Sequence, residues 1–226
     1  MITSFFLPSA IVLQIVLVYL LSRQTIDELF HIFRIFFHHD NFVYAIVSLF
    51  FLPGTIVHEL GHFVAATVLL LRVYDVRIFP QWEKNQIKLG SVLYEKRDVF
   101  RGILVGVAPL FFAFFFFWLL SIFKLFPNDN FWLNILLGYI VFTVSSTMFS
   151  SKQDLVDFAF IIPLIIIIIG IVYVVELKVD FILSNTLLIE GVNSFFREIN
   201  FYLLFSLIVN IVLIFVFKSF RFLVRR

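Results

Sequence analysis

Residues 42–71, FVYAIVSLFFLPGTIVHELGHFVAATVLLL, decide how this chain is read. The run is apolar over about 30 Å or more, enough to cross a bilayer core. Pro53-Gly54 interrupts it and is expected to kink the helix, freeing backbone groups that need partners inside the protein. Beyond the kink, His58-Glu59-Leu60-Gly61-His62 places three ionisable side chains at membrane depth. Such groups are costly in lipid and mark functional sites by default.

The rest of the chain supports a membrane reading. Of 226 residues, 62% are hydrophobic and 14% charged, against about half and a quarter in soluble domains. Further apolar runs occupy 5–21, 102–126, a stretch from Phe131 that weakens at Ser145-Ser146-Thr147, 158–175 and 201–217. The first lacks a basic leader and reads as an uncleaved span rather than a signal peptide. Continuous runs argue against a barrel, whose strands alternate. The fold class expected is an all-α polytopic membrane protein of about six transmembrane helices, one domain over 1–226.

Residues 22–41 are mixed, with an apolar stripe of Ile26, Leu29, Phe30, Phe33 and Phe37, and are expected to lie at the interface. Residues 176–200 read as a mixed loop that can include an interfacial helix. Between the second and third spans the texture alternates, as in Val73-Tyr74-Asp75-Val76-Arg77 and Gln86-Ile87-Lys88-Leu89, with Pro80 and Gly90 as breaks. That pattern predicts a small β-hairpin insertion.

With six spans, one side collects twelve Lys and Arg residues, among them Arg72, Arg77, Arg97 and Arg101, and the other side five. The positive-inside rule then puts the hairpin and both termini in the cytoplasm, in a multi-pass protein of the cell membrane. A net charge of +2 gives no electrostatic case for nucleic acid. The absence of cysteine excludes thiolate metal sites and disulfides, so a metal needs His, Asp or Glu.

On a helix, His58 and His62 stand one above the other and can share one metal ion, with Glu59 placed to act on a bound water. This is the His-Glu-x-x-His arrangement of zinc enzymes: zinc acidifies water and the glutamate is general base. A catalytic zinc takes three protein ligands and keeps one position open. Asp154 is the leading third ligand, lying where the fourth apolar run breaks and the fifth begins; Asp157, one turn on, competes with it. Ser151 or Asp154 as a helix N-cap is the plainer alternative. His38-His39-Asp40 reads as a solvated loop before the second span, and Gly106 and Pro109 as helix-packing residues.

The order of these elements resembles the site-2-type intramembrane zinc metalloproteases. The features that carry the resemblance are His58-Glu59-Leu60-Gly61-His62 in an early span, a β-rich insertion, Gly106-x-Ala108-Pro109, and a later polar break with an aspartate. They cover residues 42–160. Where the family has Asn and Pro ahead of Leu-Asp-Gly, this chain has Gln153-Asp154-Leu155. The resemblance implies one Zn2+ per chain held by His58, His62 and Asp154, with Glu59 catalytic. It also implies cleavage of a transmembrane protein substrate in or near its membrane segment, bound as an extended strand beside the hairpin. Two other readings use the same residues: a metal-binding membrane protein or transporter, and a catalytically silent helix-binding relative. A transporter would more often show paired repeats, and none is visible.

Overall fold

A computed structural model describes residues 2–78, 81–83, 86–88, 90–95, 97–149, 156 and 185–224. Asp154, Asp157 and the expected fifth span at 158–175 lie outside the described residues. Six helices and four short strands are described: α1 (Ile2–Phe36), α2 (Asp40–Phe50), α3 (Leu52–Val68), β1 (Val73–Arg77), β2 (Gln81–Glu83), β3 (Gln86–Lys88), β4 (Ser91–Tyr94), α4 (Val99–Ile122), α5 (Phe131–Ser146) and α6 (Thr186–Val224).

Among the described residues, three helices are long and apolar enough to cross a membrane, those ending at Phe36, Ile122 and Val224; the bent pair α2–α3 would make a fourth. Their outer faces carry exposed Leu13, Leu20, Phe111, Phe115, Ile211 and Phe215, an apolar display that suits lipid rather than water. α5 is 16 residues long, below the roughly 20 that a straight crossing needs.

The break expected at Pro53 is present. α2 and α3 meet at Phe51 with a bend of 71°. Pro53 has no N–H to continue the ladder, but it is well placed in the first turn of α3. The carbonyl of Phe50, at the end of α2, accepts from the Tyr139 hydroxyl at 2.6 Å, so the bend does not strand a buried polar group. Gly54 lets α5 approach the bend: a side chain there would collide with the Thr143 carbonyl and Thr147 Oγ1.

Two stretches expected to lie outside the spans, at the interface or in a loop, instead continue long helices. α1 runs unbroken to Phe36, because residues 22–36 contain no Pro or Gly and their apolar stripe has a core to join. Leu29 packs with Val43, Val47, Phe51 and Phe142. At the other end, residues 186–200 extend the last span into one 39-residue helix.

α1 and α6 pack side by side and run in the same direction, as Thr25 meets Asn210 and Phe36 meets Phe220. Ile2 and Val224 are therefore at opposite ends of this pair, which is not what an even number of alternating crossings gives. A polar seam joins the two helices. Thr25 Oγ1 donates to Asn210 Oδ1 at 2.7 Å, and Asn210 Nδ2 donates to the Ser206 carbonyl at 2.9 Å. Ser145 donates to the Ser206 hydroxyl, tying α5 to the seam. Further along, Arg221 pairs with the buried Glu28 at 3.2 Å.

Asn210→Leu should lower stability in detergent by about 1 kcal/mol, the usual scale of an interhelical hydrogen bond in a membrane protein. The loss stays modest because Thr25 also bonds the Leu21 carbonyl and Ser206 keeps Ser145. Chemical denaturation followed by tryptophan fluorescence checks this.

The insertion between α3 and α4 is a flap of two antiparallel ladders. β1 pairs with β4, matching Arg77 to Ser91, and β2 pairs with β3, matching Gln81 to Lys88. α4 then starts at Asp98, whose side chain accepts from the Arg101 amide at 2.8 Å.

Candidate metal centre

The bend at Phe51 aims α3 at two neighbours, α4 on one side and α5 on the other. His58 and Glu59 are both 3% exposed, while His62, one turn on, is half-buried. Their helical spacing puts the imidazoles edge to face with centroids 4.7 Å apart. The two Nε2 atoms face each other at 3.1 Å.

That separation tests whether the pair fits a metal. Two Zn–N bonds of about 2.0–2.1 Å at a tetrahedral angle hold their nitrogens roughly 3.3 Å apart. The observed spacing is within a few tenths of that, so little movement is needed to grip one ion. The outer groups fit as well. His62 Nδ1 donates to the Val105 carbonyl at 2.8 Å, which fixes the tautomer that presents the Nε2 lone pair. The backbone at Thr147 and Met148, where α5 ends, lies beside His58.

Close packing makes the His62 bond possible. Gly61 lies against Pro109, and a Cβ at residue 61 would be 2.8 Å from the Pro109 Cα. This brings α4 near enough for Val105 to reach His62. Pro109 is thus a packing residue, as expected.

Glu59 meets the flap. A Cβ on Gly90 would be 2.6 Å from both Cγ and Oε1 of Glu59. The backbone just before β4 therefore lies directly on the Glu59 carboxylate. Sequence reading identified Gly90 only as a break in the hairpin. Its contact with Glu59 depends on how the flap folds back over α3, which local sequence does not record.

Among the described residues, no group of three or more His, Cys, Asp or Glu side chains is placed to hold a metal ion. The expected third ligand, Asp154, and its competitor Asp157 are outside those residues. The His38-His39-Asp40 loop is exposed, with Asp40 paired to Arg34 at 3.1 Å. It is a solvated turn, remote in sequence from His58.

No family model matches this chain, and neither a curated protein nor a solved structure does. The functional reading therefore rests on the site itself.

Proposed function

We propose that the protein is a multi-pass intramembrane zinc metalloprotease that hydrolyses peptide bonds in or near transmembrane segments of membrane-bound substrates. The observation that carries this reading is the pair of imidazoles on α3, His58 buried and His62 half-buried, with Nε2 atoms 3.1 Å apart and Glu59 between them in sequence. His58 and His62 hold the metal; the Val105 carbonyl keeps His62 in place, and His58 lies beside the end of α5. Asp154 supplies the third ligand. Met148, beside His58, precedes it by six residues, a length of chain that can span about 20 Å when extended.

Bound zinc would supply Lewis-acid activation of water and of the scissile carbonyl. Glu59 accepts the proton from that water and delivers it to the leaving amine. Substrate lies as an extended strand along the flap, whose two-stranded ladders leave edges for pairing. Gly90 brings the flap backbone to Glu59, so a strand on that edge lies near the base.

The test is metal content of detergent-purified protein and of three variants. Wild type should carry about one zinc per chain, the number its single two-histidine site calls for. Asp154→Ala should lose it, while Asp157→Ala and Glu59→Gln keep it. Zinc lost with Asp157→Ala instead would reassign the third ligand. No stoichiometric zinc in wild type would sink the protease reading and favour transport of a passing cation.

A further inference from the structure

An open groove of about 650 Å3 runs between the middle of α1 and the last turns of α6. Its volume falls within the roughly 300–1,000 Å3 of small-molecule sites. We propose that the groove binds one anionic phospholipid, with the phosphate at Lys218 and an acyl chain along the apolar wall toward Ile211.

The first observation is the layout of the groove. The apolar run of α1 ends at Leu21 and that of α6 at Phe217. The two helices run in the same direction, so both runs end on the same side. The groove crosses that boundary. Leu21, Ile211, Ile214 and Phe215 wall its hydrocarbon part, and Gln24, Lys218 and Ser219 line it at the boundary, with two apolar residues of α6 beyond. A phospholipid has the same order, an apolar tail and then a phosphate. A groove built for another membrane helix would favour small residues along its length rather than a lysine.

The second observation is charge. Among the described residues, Lys218 has no carboxylate partner, and the side chains of Gln24 and Ser219 form no hydrogen bond. All three can donate, and none of them carries a negative charge. Arg221, three residues beyond Lys218, is already committed to Glu28 at 3.2 Å. The sequence adds a third observation. After Glu198 the chain holds no acidic residue, and Lys218, Arg221, Arg225 and Arg226 close it. Four basic residues gathered at the end of a span are the sequence mark of binding to anionic headgroups.

The inference stands apart from the metal site. Its test is native mass spectrometry of the detergent-purified full chain, titrated with dioleoylphosphatidylglycerol or with zwitterionic dioleoylphosphatidylcholine. Wild type should take up one phosphatidylglycerol about tenfold or more tightly than phosphatidylcholine, because each nearby cation favours an anionic headgroup several-fold. Lys218→Gln should weaken phosphatidylglycerol binding about fivefold, the effect of one such charge. Ile211→Trp fills the apolar wall from an exposed position and should weaken both lipids alike. Lys124→Gln removes the same charge from the loop after α4 and should leave binding unchanged.

Equal affinity for the two lipids would overturn the proposal, and so would unaltered binding in Lys218→Gln. Equal losses in Lys218→Gln and Lys124→Gln would reduce the effect to net charge and overturn it as well. Undiminished binding in Ile211→Trp would place the lipid outside the groove. A lipid-free dimer that Ile211→Trp breaks would make the occupant a second copy of the chain instead.

Discussion

Glu59→Gln is expected to keep its zinc and to cleave membrane substrates roughly 10²–10⁴-fold more slowly, the contribution of a positioned general base. Glutamine has nearly the same shape, and this position tolerates little else. The side chain is 3% exposed, and Gly90 lies so close that a single added carbon on the glycine would overlap it. The substitution therefore removes proton acceptance without opening a hole or displacing the flap. In the proposed site the facing Nε2 atoms of the two histidines are the ligands and Glu59 is not, so metal content should not change.

Two measurements on the same sample, zinc by mass spectrometry and cleavage of a reconstituted substrate, separate the possible roles. Loss of both would make Glu59 a ligand. Retention of both would exclude it as the base and leave a metal-binding protein with another task.

What was legible in the sequence follows the range of the forces involved. Local chemistry was readable. Pro53 predicted the bend because a missing N–H acts within one turn, and the alternating residues after Arg72 predicted strands. His58 and His62 predicted facing imidazoles because four residues bring a helix back to the same side.

Long-range partners were not readable. Residues 22–36 have the composition of an interfacial helix. They continue α1 because Thr25 finds Asn210, and Glu28 finds Arg221, nearly two hundred residues away. The polar residues at 186–200 suggested a loop for a similar reason, yet they extend α6. The Val105 carbonyl that orients His62 has no side-chain signature at all. Gly90 could be seen as a turn residue, but not as the residue that lies on Glu59.

Gly61→Ala should damage both the fold and the metal site, although it adds one carbon. The new Cβ would be 2.8 Å from the Cα and 2.9 Å from the nitrogen of Pro109, with the Ala108 carbonyl carbon at 3.2 Å. All three are backbone atoms of α4, so no rotamer change relieves the contact and the helices must part. Overpacking of this kind costs about 1–3 kcal/mol. His62 is the next residue, and its 2.8 Å bond to the Val105 carbonyl crosses the same helix pair. Separating α3 from α4 stretches that bond and frees the imidazole to turn. Loss of an outer-shell partner typically lowers metal affinity about 10–100-fold.

Gly102→Ala is the control within α4. Nothing lies within 4 Å of a Cβ at that position, and alanine is favoured over glycine in a helix by up to about 1 kcal/mol. That variant should be as stable as wild type or slightly more so, with unchanged zinc affinity. Chelator competition and thermal unfolding of the two variants give the comparison. Equal behaviour of Gly61→Ala and Gly102→Ala would mean that α3 and α4 are not in contact at Pro109, and the orientation of His62 would then need another source.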